Sequence, residues 1–262
     1  PYHRFSVAQR LGNLFDPLPG LYHRTLRSLD RKNVLSATSV LVNSHYSRET
    51  LYRVYGVFAR VAYLGVDTER FRPLALTRED FVLSVGSLNP RKGFDFLIES
   101  LALLPEVERP RLIIVSNFVD VREHTYLETV AQRLGVALEV KVMIGDAELV
   151  RLYNQARLLL YAPVMEPFGF VPLEAMACGT MGIGVAEGGV RESVVHEKTG
   201  LLTDRNPRDF AAAVARSLSD AGLRKALGAT GAQHVRKQWT WQHAVTCIEA
   251  NLEQVAERQK TS

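Results

Sequence analysis

LLLYAPVMEPFGFVPLEAMACGTMGIGVAEGGVRE, residues 158–192, decides the fold. Its continuous apolar start predicts a buried strand over 158–162, then a glycine-bearing loop, a short helix over 172–178, a second strand and a Gly188-Gly189 turn. Pro172 suits the first helical position and Gly179 the C-terminal stop. In a strand-loop-helix unit of this kind, the free N–H groups and positive dipole end of the helix face the same crevice as the loop before it, which makes an anion site. Glu166 and Glu174, eight positions apart, bracket that loop. Between them, Pro167-Phe168-Gly169-Phe170 offers backbone N–H groups that a ligand can approach at Gly169 without meeting a side chain. Glu174 falls in the first turn of the predicted helix, and a carboxylate near a helix start is a good acceptor for the vicinal hydroxyls of a ribose. Each acid alone has a plainer reading, Glu174 as a complement to the helix dipole and Glu166 as a solvated loop residue.

Outward from this stretch the pattern repeats. From residue 81 the apolar runs FVLSVG, RLIIVS, LEVKVM, RLLLYA, MGIGVA and GLLTD alternate with helical segments starting near Phe94, Arg122, Asp146, Pro172, Val190 and Pro207. Continuous Val, Ile and Leu runs between helices are what a parallel sheet covered on both faces requires, so the fold class is α/β with a doubly wound parallel sheet. Ligands of such sheets bind outside the carboxyl ends of the strands. Asn206 with Pro207, and Asp146 with Glu148, mark helix starts. After Ser219 the chain reads as helical to its end, with Trp239 and Trp241 opening the last helix. Upstream, residues 1–35 are basic and mostly irregular, with a turn over 17–20 and an arginine-rich helix over 21–33. A short strand follows over 39–44, and Ser47 is expected to cap a helix running to about Tyr55.

The chain of 262 residues, 47% hydrophobic and 23% charged, suits one large or two modest globular domains. A net charge of +4 fits a phosphate ligand or an anionic membrane surface. No RNP-like segment, zinc spacing or recognition helix points to nucleic acid. The seven histidines form no close-set pattern with Cys, Asp or Glu, so no protein-held metal is expected. Cys178 and Cys247 read as reduced core thiols of a cytosolic protein. No apolar run reaches the roughly 18 residues needed to span a bilayer, and no signal peptide is evident. The absence of a serine nucleophile elbow and of a full dinucleotide fingerprint at Gly188-Gly189 argues against hydrolase and dehydrogenase chemistry.

A second candidate loop, Gly86-Ser87-Leu88-Asn89-Pro90-Arg91-Lys92-Gly93, follows the first of the regular apolar runs. Two cations in a turn bounded by Gly and Pro, ahead of a helix, are placed to grip a diphosphate through charge-assisted hydrogen bonds. Alone, such a pair is as readily a solvated turn. Asn117, closing the second run, reads as a pocket residue or a turn residue. Gly182 and Gly184 stand within a predicted central strand, where they either admit a close backbone or weaken the strand.

The segment from Glu166 to Glu174 resembles the Glu-x7-Glu motif of the retaining, GT-B fold glycosyltransferases of family 4, and is followed by segments similar to their LEAMACGT and GGxxE. The similarity runs from about Val40 to the C-terminal helix. It implies transfer of a sugar from a nucleotide diphosphate sugar to an acceptor with retention of configuration, with no metal or other cofactor beyond that donor substrate. It implies that Lys92 is the diphosphate-binding lysine of a loop that includes Gly86 and Ser87. The family often carries Arg where this chain has Ser87, so Arg91 is the substitute cation. Met143 and Ile144 match the place where family members hold the base, largely through backbone groups. Glu166 and the amides of Phe168, Gly169 and Phe170 would hold the donor sugar, and Glu174 the ribose. Residues 1–74 correspond to the end of the N-terminal acceptor domain and the crossover, 75–238 to the Rossmann-like donor domain, and 239–262 to a helix crossing back. Family members precede this with a whole N-terminal α/β domain holding a Gly-rich loop and the acceptor site, which some seventy residues with one clear strand do not supply. The implied partners are a sugar or lipid-linked acceptor and an N-terminal domain or partner chain, with self-association through uncovered apolar surface. The expected location is cytoplasmic, either free or peripheral at the inner membrane face. A nucleotide-sugar binding module inactive without a partner is the alternative; a sugar phosphorylase or nucleotide-sugar epimerase is a third.

Overall fold

The computed structural model describes residues 17–118 and 120–260. The chain opens with helix α1 (Pro17–Ser36), strand β1 (Leu41–Val42), helix α2 (His45–Tyr55) and strand β2 (Arg60–Val61). β1 and β2 pair in parallel as a small sheet of their own. A regular alternation follows: β3 (Phe81–Val85), α3 (Phe94–Ala102), β4 (Arg111–Ser116), α4 (Val121–Leu134), β5 (Leu138–Val142), α5 (Asp146–Gln155), β6 (Leu158–Tyr161), α6 (Phe170–Ala177), β7 (Gly182–Val185), α7 (Val190–Ser193) and β8 (Gly200–Thr203). Helices α8 (Pro207–Ser219), α9 (Ala221–Gln238) and α10 (Trp241–Lys260) complete it.

Each of the six apolar runs forms a strand, and they join in one parallel sheet of order β5-β4-β3-β6-β7-β8. The chain therefore winds outward from β3 to one edge, then returns to the middle at β6 and winds to the other. The order reverses between β3 and β6, and the crevice above that pair is where a doubly wound sheet binds its ligands. Strand alternation explains the unbroken apolar runs. Val82, Leu112, Ile114, Leu158 and Leu160 join one buried layer with Phe94, Leu97, Leu127 and Phe210. Their neighbours Phe81, Leu83, Ile113 and Leu159 face the other layer, with Tyr153, Leu173 and Met176.

Several local expectations are corrected. Residues 17–20 lie in α1 and form no separate turn, while residues 1–16 of the expected irregular segment fall outside the described residues. The strand expected over 39–44 is only Leu41–Val42, because its partner β2 is equally short. Ser44, not Ser47, caps α2: its extended backbone lets its hydroxyl accept the Ser47 N–H at 2.9 Å. α6 starts at Phe170 with Gly169 at its cap, so Pro172 is its third residue and Glu174 lies beyond its first turn. Proline is tolerated there because the first four helical N–H groups have no intrahelical partner. The last helix opens at Trp241, whereas Trp239 closes α9, its N–H donating to the Val235 carbonyl. Cys178 is a core thiol, which burial pushes up to about 12 in pKa, but Cys247 is only half-buried.

Candidate functional site

Two loops meet above the β3/β6 pair. In the first, Asn89 caps the turn Pro90–Lys92 by accepting the Arg91 N–H, and Gly93 ends it in the left-handed region at φ 66°. A Cβ at Gly93 would collide with the carbonyl oxygen of Ala162, the first residue after β6. The second loop answers with the Val164 N–H, which donates to the Arg91 carbonyl at 2.7 Å. Lys92 then reaches across, its Nζ 2.8 Å from Glu166 Oε2, with the two side chains only 21% and 26% exposed. The second loop is braced from behind by Arg205, which donates to the Ala162 and Pro163 carbonyls and pairs with Glu187 at 2.7 Å. Those bonds to Arg205 hold the Glu187 carboxyl below its ordinary pKa. The Gly188-Gly189 turn completes the support. The Gly189 N–H donates to the Glu166 carbonyl at 2.8 Å, and Gly188, at φ 60°, passes where any Cβ would strike that same oxygen.

Glu174 projects from α6 beside them. Its Oε2 accepts a hydrogen bond of 2.7 Å from the hydroxyl of the fully buried Tyr153. Burial raises the pKa of Glu174; the Tyr153 bond opposes this, nearby Asp146 adds to it, and Arg70 opposes it. Arg70 and Asp146 pair with each other at 2.8 Å.

A cleft of about 470 Å³ opens between these groups, and seven residues named from sequence line it: Gly86, Ser87, Lys92, Asn117, Met143, Ile144 and Glu174. The others stand around it. Glu166 meets the cleft through Lys92. Phe168 is buried, packed on Phe170 and Trp239, and Gly169 caps α6. Arg91 is exposed outside the lining, with no bond from its guanidinium among the described residues. Met143 and Met165, one at the cleft and one next to Glu166, hold left-handed φ angles of 54° and 51°. Such strain in non-glycine residues, on the order of 1–3 kcal/mol each, gathers at ligand sites. Among the described residues, no three His, Cys, Asp or Glu side chains come together as metal ligands.

Sequence reasoning missed Ser116 and Asp146 as cleft residues, Tyr153 as the partner of Glu174, and Arg205. It also quoted Glu192 without a role. The Glu192 carboxylate accepts the His45 and Tyr46 N–H groups at 2.8 and 2.9 Å and the Tyr63 hydroxyl at 2.8 Å, so it holds the start of α2 against the body. Ser44 adds a bond of 2.6 Å to the Pro167 carbonyl. The acid closing Gly-Gly-x-x-Glu was the available signal, but its partner lies 147 positions away.

The family described as "Glycosyl transferases group 1" matches residues 66–234. D-inositol 3-phosphate glycosyltransferase 2 of Catenulispora acidiphila is 32% identical over 267 positions, covering 92% of this chain and 61% of that protein. The GDP-mannose-dependent alpha-(1-6)-phosphatidylinositol monomannoside mannosyltransferase of Mycobacterium tuberculosis is 34% identical over 225 positions, covering 76% of this chain and 57% of the relative. Among solved structures, sucrose-phosphate synthase from Thermosynechococcus elongatus superposes with a TM-score of 0.80 at 26% identity, covering 89% of this chain and 62% of that one. Anabaena HepE in complex with UDP-glucose gives 0.72 at 23% identity, covering 86% and 64%, a likeness of fold. The chain spans between 42% and 61% of the curated relatives it matches. No helix among the described residues is long and apolar enough to cross a membrane.

Proposed function

Because the chain belongs to the group 1 glycosyltransferases, we propose that it carries the nucleotide-sugar donor half of a retaining, metal-independent enzyme of family 4. The observation that carries this reading is the cleft outside the carboxyl ends of the strands that Gly86, Ser87, Lys92 and Glu174 line together, with Glu166 paired to Lys92 beside it. Lys92 grips the donor diphosphate and stabilises the charge that develops as it departs, where fixed electrostatics help most. Arrival of the diphosphate draws Lys92 from Glu166, and the freed carboxylate, with the amides of Phe168, Gly169 and Phe170, holds the sugar. Glu174 accepts from the ribose, and backbone groups at Met143 and Ile144 hold the base. Retaining transfer can run through a covalent sugar on a carboxylate or through same-face attack guided by the leaving phosphate, and the resemblance favours the second.

The domain division we propose is 1–74, 75–238 and 239–262. Two crossings run side by side at its borders: the Val66 N–H donates to the Trp239 carbonyl at 2.7 Å, and Val66 bridges to Thr240. Beyond them, α10 returns to the N-terminal segment, where Asn251 accepts from Arg60 at 2.9 Å. The acceptor in this reading is a sugar or a lipid-linked molecule, met in the cytoplasm or at the inner membrane face.

The share of the relatives that this chain spans favours a second reading, a nucleotide-sugar binding module that transfers little without an N-terminal domain. Incubation with a nucleotide sugar and a panel of acceptors, reading released nucleoside diphosphate, tests both. The expected result is tight nucleotide binding, self-association in light scattering, and little transfer until an N-terminal domain is added. Efficient turnover by particles of one chain overturns the second reading; no nucleotide binding by calorimetry overturns both.

A further inference from the structure

A second cavity, about 590 Å³, lies at the opposite end of the strands, where Arg157 and Met181 stand just before the amino ends of β6 and β7. Five cations line it, Arg78, Arg157, Arg224, Lys225 and Arg236, and no acidic side chain does. Three of them come from α9: Lys225 and Arg236, eleven positions apart, lie on one face, and Arg224 flanks it. Between them the helix lines the cavity with Ala229, Ala232 and Gln233, and Leu74 and Leu76 add apolar lining from the chain before β3.

The cations are poorly neutralised. Arg78 is satisfied by the carbonyls of Tyr153, Ala156 and Gly179 and by the Thr180 hydroxyl, and Arg224 by those of Ser217 and Leu218. Arg157 has a carboxylate, Asp80 at 2.6 Å, which is itself mostly exposed. Lys225 and Arg236 are exposed and make no hydrogen bond or ion pair among the described residues. Burial lowers the pKa of Arg78 and of Arg224; Arg224 further lowers the first and Arg157 the second, with Asp220 opposing at Arg224 and Cys178 at Arg78. A field of this sign, focused in a concavity, attracts an anion.

We propose that this cavity is a phosphate-binding site separate from the donor cleft. Guanidinium groups suit the tetrahedral oxygens of phosphate, to which they bond bidentately. The cavity is far larger than a lone ion, and its Leu and Ala walls fit an organic group carried by that phosphate, as in a phosphorylated metabolite or the headgroup of an acidic lipid. The site shares no lining residue with the donor cleft, so it stands or falls independently of the glycosyltransferase reading.

Calorimetric titration with inorganic phosphate and glycerol phosphate, on the full chain, tests this with Lys225→Ala/Arg236→Ala and with Lys92→Ala. Lys225 and Arg236 make no bond, so the double variant is expected to keep the wild-type circular dichroism. Phosphate-ester affinity should fall about tenfold or more in the double variant, the loss expected for charge-assisted contacts, and persist in Lys92→Ala. Sedimentation with phosphatidylcholine vesicles, with and without phosphatidic acid, separates the sources. Binding to acidic vesicles alone, lost in the double variant, identifies a lipid headgroup; binding to glycerol phosphate without vesicle binding identifies a soluble ester. No binding in either arm, or binding unchanged in the double variant, overturns the site.

Discussion

The sheet body and the N-terminal segment are held by different forces. In the body, every strand side chain from Leu158 to Tyr161 is buried, and two apolar layers close over the sheet. In the segment, each strand is two residues long, α2 buries no side chain, and Phe58 stands 74% exposed. What fastens the start of the segment is directional and polar, Glu192 on the start of α2 and Ser44 on Pro167; apolar packing enters at its end, where Tyr63 packs on Trp239 and Val66 and Phe71 join the core. Apolar burial sums over many contacts, whereas a net hydrogen bond adds only about 0.5–1.5 kcal/mol. The body is therefore the cooperative unit, and the segment is docked on it. The candidate cleft is lined by the body, and the join reaches its neighbourhood at Pro167, next to Glu166.

The sharpest break falls on the body itself. Gly93→Ala places a side chain at a left-handed φ and against the Ala162 carbonyl, so the two site loops must part. A loss of about 3 kcal/mol or more is expected, with nucleotide binding abolished. An unchanged urea midpoint would show that the loops are not locked there. Next in size, Lys92→Ala should cost nucleoside diphosphate binding about 1.5–3 kcal/mol, the range for a hydrogen bond to a charged group. Unchanged affinity by calorimetry removes Lys92 from the site. The comparison is sharpened most by Glu192→Ala, which leaves the Ser44 cap but removes the carboxylate that accepts the His45 and Tyr46 N–H groups, at an expected cost of about 1–2 kcal/mol. Amides of α2 should then exchange with solvent about tenfold faster while those of β3 to β8 keep their protection. Equal acceleration in both regions would mean that body and segment unfold as one.

The same division governs what the sequence disclosed. The central strands β3, β4 and β6 were legible because they are dominated by Val, Ile and Leu, as burial on both faces favours, while the edge strand β5, LEVKV, is only half-buried and β7 carries two glycines. Lys92 and Glu174 were legible because loop chemistry and motif coincide with the carboxyl ends of those strands. Strand order is not written locally, so the reversal between β3 and β6 needed the pairings themselves. The start of α6 was misread because Pro172 suits any of the first helical positions and Gly169, without a side-chain cap, gives no signal. Tyr153 and Glu192 escaped for a common reason. Each acts through a partner distant in the chain, and a tyrosine on a helix or an acid after a turn has an ordinary explanation nearby.

Glu174→Gln tests the smallest effect and joins stability to function. Burial raises the pKa of this carboxyl, so the folded state holds its proton more tightly than the unfolded chain does. The sign follows: below the unfolded value, about 4.3, the buried group costs nothing, and the cost grows as pH rises through the raised folded value. The Gln variant escapes that cost and can still accept the Tyr153 hydrogen bond, so the unliganded variant should melt slightly above wild type at neutral pH, the gap closing as pH falls. Binding should move the other way. The ionised carboxylate is the acceptor assigned to the ribose hydroxyls, so the variant should lose more affinity for a ribonucleotide than for its 2′-deoxy counterpart. Wild-type ribonucleotide affinity should also fall as pH drops through the raised pKa, while the variant stays flat over that range. Equal losses for both nucleotides would leave Glu174 a buried acid of the fold with no part in holding the ribose.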